Sequence, residues 1–468
     1  MNRRQFISFL IIILVGLLIW FSPHSENIHN KGWHLFAIFM ATILGIIFKP
    51  LPMSVFAILS MTILDLTHTL TLEETLAGFH NPIAWLVLFA FFISQGFIKT
   101  GLGSRISYYF VSILGRKTLG LSYGLLMSEL ILAPAIPSVT ARTGGVIFPV
   151  VQGLAKSFAS DPQFGTERRI GSFLMTVAYQ GSVITSAMFL TAMAANPFLV
   201  ELTQQFGYYL SWSQWALAAS IPGLINLAIM PFMVFKLYPP IIRKTPNAAD
   251  FARLKIQEMG KMQKQEWIML AIFILLIILW ISGNMIKMNA TIAAMVGLSC
   301  LLIFNVLKWE DIVKNYSAWD TYIWFSSLIM IATQLNHLGF TPWLSEQVVQ
   351  LVGQMNWMPA FTILGLVYFY SHYFFASNTA HVGAMYPAFL MIAISLGTPS
   401  MIAILVFAFL SNLMGGLTHY GSGPAPIYYG SNYIELKAWW RIGFLLSLIN
   451  LSIWIGLGSI WWKLIGIW

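Results

Sequence analysis

Pro137-Ser138-Val139-Thr140-Ala141-Arg142 and Ala376-Ser377-Asn378-Thr379-Ala380-His381 lie 239 residues apart (376 against 137) and decide how this chain is read. Each sextet sits in the middle of an otherwise apolar stretch, residues 121 to 155 and 358 to 395, with Pro, Gly, Ser and Thr at its centre. Such a stretch is too polar to be an ordinary membrane span. It reads as a re-entrant helical hairpin, which is tolerated only where protein or a water-filled cavity satisfies the backbone at the tip.

Further matches extend the repeat outward. Phe97-Ile98-Lys99-Thr100-Gly101-Leu102 lines up with Leu335-Asn336-His337-Leu338-Gly339-Phe340, and Gln180-Gly181-Ser182-Val183 with Met414-Gly415-Gly416-Leu417. Around these, apolar length predicts about eleven full transmembrane helices, near 6 to 21, 33 to 49, 51 to 66, 83 to 101, 168 to 200, 211 to 238, 266 to 285, 288 to 307, 318 to 338, 400 to 433 and 439 to 462. The expected class is therefore an all-α polytopic membrane protein. The expected division is an N-terminal helix and loop (1–32), a first repeat (33–238), a cytoplasmic amphipathic connector (239–265) and a second repeat (266–468). Each repeat holds five full spans, an odd number, so the second is inverted relative to the first. Inverted repeats with paired interrupted helices are the mark of a secondary transporter whose site lies where the interruptions meet.

Composition agrees. The chain has 468 residues, 58% of them hydrophobic and 9% charged, whereas a soluble domain carries roughly a quarter charged residues. Its net charge of +9 sits in short loops between spans, where it sets topology rather than binding nucleic acid. With the N-terminus in the cytoplasm, all 25 Lys and Arg fall on the inner face except Lys31, Lys287 and Lys463 outside and Arg142 in a tip. The reading is a multi-pass protein of the cell membrane, in contact with lipid, whose charged start at Arg3-Arg4 holds a retained first helix. A lone Cys300 excludes an internal disulfide and a cysteine metal site.

The chemistry sits at the tips and breaks. A carboxylate needs donors, and hydroxyls, an amide and the free N–H groups of a half-helix supply them without a buried charge. Ser138 and Thr140, and Ser377, Asn378 and Thr379, are such donors. One triplet alone would read as helix glue, but two in corresponding hairpins point to a substrate site. The second element is a pair of broken spans, 176 to 197 and 411 to 430. There Gly181, Ser182 and Thr185, and Thr418, Gly421 and Ser422, are expected to unwind at mid-depth and expose backbone groups.

The duplicated Ser-Asn-Thr hairpin with a broken helix after it resembles the divalent anion:sodium symporter (DASS) superfamily. Thr418-His419-Tyr420-Gly421-Ser422-Gly423-Pro424 is similar to its branch of bacterial citrate:succinate and plastid 2-oxoglutarate:malate antiporters. The resemblance runs from about residue 33 to the end. It implies a homodimer in which a transport domain slides against a scaffold, with Ser138, Thr140, Ser377, Asn378 and Thr379 as carboxylate ligands. The chain departs from the pattern at Val139, where the family has Asn, which removes one amide contact and bears on any sodium site that used it.

Four residues after each motif serine, where sodium-coupled relatives carry small neutral residues, stand Arg142 and His381. Ionisable groups at membrane depth are costly and mark function. These two are expected to do the work of bound sodium. Of the 16 Asp and Glu, only Glu129 is placed at depth, which favours an anionic substrate. The expected function is sodium-independent, elevator-type exchange of dicarboxylates of the malate, succinate, fumarate and 2-oxoglutarate class. The nearest alternative is a sodium-coupled di- or tricarboxylate symporter, and a membrane enzyme is the more distant one. The latter would need His-Glu-x-x-His spacing or carboxylates paired at membrane depth, neither of which the sequence carries. No catalytic residue, metal ligand or cofactor is expected.

Overall fold

The structure is a computed structural model and describes residues 3–25, 28–352 and 356–468. Among these residues there are helices and no strand, only an isolated bridge between Lys117 and Lys244. Six helices are long and apolar enough to cross a membrane: Arg3–Trp20, Asn30–Phe48, Pro82–Thr100, Trp212–Leu237, Lys264–Ile286 and Leu436–Leu464. Four shorter apolar helices join them, Met53–Leu66, Thr118–Leu132, Ala290–Ile303 and Ser400–Gly416. The all-α polytopic class therefore holds, and the chain is a multi-pass membrane protein.

Left-handed backbone positions recur at a nearly constant interval. A left-handed residue ends a helix or makes a turn at Lys49, His68, Gly101 and Ala159, and again at Lys287, Asn305, Gly339 and Gly397. The offsets are 238, 237, 238 and 238 (287−49, 305−68, 339−101, 397−159). Five of these eight positions carry a side chain in a conformation that non-glycine residues adopt rarely. Their recurrence in register is far more specific than shared hydrophobicity.

The chain forms two compact units, and each draws on both of the stretches expected to be repeats. One comprises Met1–Leu88, Pro197–Tyr209 and Asn315–Phe407; the other comprises Phe89–Asn196, Leu210–Lys314 and Ala408–Trp468. The expected second hairpin lies in the former as Trp357–Tyr370, a tight turn at Ser371–Phe374, and Asn378–Ser395. The expected first hairpin lies in the latter as Thr118–Leu132, a linker, a wide helical turn at Thr140–Ile147, and Phe148–Ser157. The connector is a helix at Pro246–Glu258 that buries Ala248, Ala249 and Ala252. It packs on Leu102–Leu114, a helix that hydropathy alone did not reveal.

One expectation is corrected. Gln180-Gly181-Ser182-Val183 is not a break, because Gly171–Met188 is one continuous helix, buried over all 18 residues. Ser182 donates to Tyr179 O and Thr185 to Ser182 O, ordinary back-bonding inside a helix. Gly181 is there for packing, since a Cβ would lie 2.0 Å from Leu126 Cδ2. A single glycine costs a helix only about 1 kcal/mol, which close packing offsets. The interruption falls later, at 189–194, where Phe189 and Met193 are extended around a tight turn at Leu190–Ala192. Pro197 explains the position, because its ring excludes a helical carbonyl at Met193. The second break is where expected: the helix ending at Leu413 passes through Met414–Gly416 into irregular backbone and resumes at Ala425–Gly430.

Gly181→Ala should therefore destabilise the folded protein by about 1 to 3 kcal/mol through overpacking. Thermal unfolding of the purified variant checks this. An unchanged midpoint would mean that residue 181 is not held between packed helices.

Candidate functional site

The two motif serines do the same thing in their separate units. At the first tip Ser138 Oγ accepts from Ala141 N–H at 3.2 Å and Ser138 O from Arg142 N–H at 2.9 Å. At the second, Ser377 Oγ accepts from Ala380 N–H at 3.4 Å and Ser377 O from His381 N–H at 3.1 Å. Each serine thus starts a half-helix whose first N–H groups carry the positive end of the helix dipole. Ser138, Ser377 and Thr379 are half-buried, Thr140 is exposed and Asn378 is buried.

Arg142 is fully buried, and its guanidinium makes four hydrogen bonds to protein. Nε donates to Glu129 Oε1 at 2.7 Å, Nη1 to Ile136 O at 2.6 Å and to Ala192 O at 2.7 Å, and Nη2 to Ser186 Oγ at 2.9 Å. Glu129 Oε1 also accepts from Thr143 Oγ1 at 2.8 Å, and both ionic side chains are shut from solvent, 0% and 1% exposed. The expected cation is present at depth, but a carboxylate balances its charge. A pair this buried is strongly destabilised, by about 3 to 5 kcal/mol, when one partner is removed.

The interruption at 189–194 is finished by side chains. Asn196 Nδ2 donates to Ser186 O and Phe189 O, Trp215 Nε1 to Ala187 O, Thr191 Oγ1 to Pro134 O, and Asn412 Nδ2 to Asn196 Oδ1. The second break is met by the very residues taken for the first. Tyr179 OH donates to Gly415 O at 2.6 Å and bonds Ser422 Oγ at 2.8 Å, and Gln180 Nε2 donates to Gly416 O at 2.9 Å. Thr140 reaches the same stretch: a Cβ on Gly423 would lie 2.0 Å from its Oγ1. Tyr428 OH donates to Thr143 O at 3.1 Å. So Thr140 and Ser422 are brought into one assembly with the first tip. Gly421 and Thr418 are buried in it, and the Thr418 hydroxyl finds no partner among the described residues. Gly181, Ser182 and Thr185 lie in the packed helix instead.

At the second tip His381 Nε2 pairs with Ser371 Oγ at 2.8 Å. Its ring is walled by Phe375, Tyr368 and His372, with centroids at 4.6, 4.7 and 5.4 Å. It is fully buried. Among the described residues no group of three or more His, Cys, Asp or Glu could hold a metal ion.

Sequence reasoning placed Glu129 at depth without pairing it, and it missed the capping roles of Tyr179, Gln180 and Asn196. The signal for Glu129 was its spacing from Arg142, 13 residues (142−129) across a hairpin whose linker begins near 133. For Asn196 it was the Asn-Pro pair that ends the apolar run.

The comparisons with known proteins agree with this architecture. A family model described as the sodium:sulfate symporter transmembrane region matches residues 3–468. A Bacillus subtilis (strain 168) protein bearing the provisional name malate transporter YflS is 52% identical over 465 residues, covering 99% of this chain and 97% of that one. Dicarboxylate transporter 1, chloroplastic, of Spinacia oleracea is 49% identical over 459 residues, covering 97% and 81%. Among solved structures, one titled "Crystal structure of the Alcanivorax borkumensis YdaH transporter reveals an unusual topology" superposes with a TM-score of 0.59 over 98% of this chain and 96% of that one. At 11% identity it speaks for the fold alone. The chain belongs to the sodium:sulfate symporter family, within the divalent anion:sodium symporter superfamily that its duplicated motifs resemble.

Proposed function

We propose that this protein is a secondary carrier of dicarboxylates of the malate, succinate, fumarate and 2-oxoglutarate class, and that it exchanges them without sodium. The observation that carries the reading is the pair of serine-started half-helices, each with hydroxyl groups beside its first N–H groups. Ser138 and Thr140 at one tip, and Ser377, Asn378 and Thr379 at the other, are the proposed carboxylate donors. Relatives named for malate and for dicarboxylates, similar over nearly the whole chain, support the substrate class. Elevator motion, a homodimer, inverted repeats and a cytoplasmic N-terminus in the cell membrane belong to the same proposal and rest on the family resemblance and the charge pattern.

Exchange follows from donors rather than from fixed charge. In the proposed site an anion takes the place of water at the tip donors, and without it those donors lose their water on crossing the barrier. A buried donor left alone costs about 1 to 3 kcal/mol. Two such donors would slow the empty carrier roughly thirtyfold or more. Arg142 supports sodium independence in another way. It is seated on two carbonyls and a hydroxyl at the end of a half-helix, the kind of ligands that hold sodium in other carriers. A covalent cation there does not leave with the substrate. His381 is proposed for the corresponding place at the second tip.

The sodium-coupled symporter remains the second reading, favoured by the description of the matching family. It also gains from the neutrality of the Glu129–Arg142 pair, which leaves a bound dianion without a fixed counter-charge at the first tip. Proteoliposomes distinguish the two. Malate uptake should require an internal dicarboxylate and be indifferent to replacing sodium by potassium. Sodium-driven uptake into empty vesicles would establish symport instead.

The tip assignment is tested separately. Ser377→Ala, Asn378→Ala and Thr379→Ala should each weaken succinate binding roughly ten- to a hundredfold, the loss of one hydrogen bond to a charged group. Calorimetry on monodisperse protein reads this. Unchanged affinity in all three would leave the motif as structural glue.

A further inference from the structure

We propose that Glu129 is a positioning residue and that the Glu129–Arg142 pair is a charge-neutral clamp, fastening the first hairpin tip to the interruption at 189–194. The inference rests on reading that tip as a carboxylate site. It differs from a role for Arg142 as the substrate's counter-ion.

The geometry assigns the roles. A guanidinium is a planar fork of five N–H donors, so fixing one edge fixes the direction of the rest. Glu129 Oε1 holds the Nε edge, and Thr143 Oγ1 holds that same oxygen from the next residue along the chain. With its edge fixed, the fork delivers Nη1 to Ile136 O in the hairpin linker and to Ala192 O in the interruption, and Nη2 to Ser186 Oγ before the interruption. Three pieces of backbone that no continuous helix joins are thus held by one side chain. Linker and interruption also meet through Thr191 Oγ1 on Pro134 O, which tightens the same seam.

The charged groups around the pair are few. The Thr118–Leu132 helix contributes Glu129, the tip helix contributes Arg142, and from the second break Tyr428 approaches through its bond to Thr143 O. Among the described residues no other ion pair reaches Arg142 or Glu129. A buried guanidinium without an anion would be expensive in hydrocarbon, and one paired to a mobile substrate would be stranded whenever the substrate left. A resident carboxylate keeps the seam assembled, and its charge balanced, with the site full or empty.

The two roles for Arg142 predict opposite signs for one substitution. If the guanidinium attracts the substrate, Glu129→Gln removes a competing negative charge and should tighten dicarboxylate binding. If the pair is a clamp, the same change slackens the tip, and succinate affinity should fall roughly tenfold. Arg142→Lys keeps the charge but loses the fork and should fall at least as far. Thr143→Val, which leaves the charges alone, should show a smaller loss in the same direction. Hydrogen exchange supplies the readout that general destabilisation would not give. In Glu129→Gln, amides in 133–139 and 189–194 should exchange faster together while those in 212–237 are unchanged, although the Glu129 carboxylate bonds Arg142 and Thr143 rather than either segment.

The measurements are succinate calorimetry and exchange mass spectrometry on the full-length protein in nanodiscs, with monodispersity confirmed for each variant. Equal or tighter binding by Glu129→Gln would overturn the clamp, as would unaltered exchange at 189–194. If the wild type binds no dicarboxylate while the exchange pattern is as described, the clamp stands and the substrate reading fails.

Discussion

Inside a bilayer the backbone has no water to turn to, so every interrupted helix leaves N–H and C=O groups that the protein must meet itself. This chain breaks its helices at two hairpins and two spans, and it treats the two kinds of orphan differently. The carbonyl ends are closed by long side chains: Asn196, Trp215 and Arg142 at 186–192, and Tyr179 and Gln180 at Gly415 and Gly416. At the tips, the side chains of Ser138 and Ser377 accept from the N–H groups of Ala141 and Ala380. In the proposed reading the hydroxyl, amide and N–H donors of the tips receive an anion without an uncompensated cation.

The same asymmetry explains how an arginine can sit at full burial. Arg142 serves the carbonyl side, where a positive charge suits the end of a half-helix, and Glu129 cancels that charge within hydrogen-bond reach. Counting Arg142 as a free cation overstates the charge at the first tip by one unit. In the proposed reading, selectivity for anions falls to hydroxyl, amide and backbone donors, which bind a carboxylate directionally and are costly when left empty. The proposed exchange needs no more than that.

Much of the architecture was legible in the sequence because hydropathy and proline record constraints that act locally. The spans near 83 to 101 and 211 to 238 appear within a residue of their expected bounds, as Pro82–Thr100 and Trp212–Leu237. The matched sextets at 137 and 376 turn out to start half-helices by the same bonds. What was not legible depends on partners distant in sequence. Gly181 looks like a helix breaker until Leu126 is seen against it. Tyr179 and Gln180 look like part of a break, whereas they close another break more than two hundred residues away. Glu129 and Arg142 were each visible as costly buried charges, but their pairing depends on how the hairpin closes. The helices Leu102–Leu114 and Phe340–Val352 were passed over because amphipathic segments of 13 residues fall below the length of a span.

The most direct measurement is a cryo-electron microscopy structure of the protein in nanodiscs with succinate bound. A carboxylate should lie within hydrogen-bond distance of the N–H and hydroxyl donors at Ser138–Thr140 or at Ser377–Thr379, with Arg142 still seated on Glu129, Ile136 O and Ala192 O. A succinate carboxylate on the Arg142 guanidinium, with Glu129 displaced, would contradict it, as would a ligand that touches neither tip.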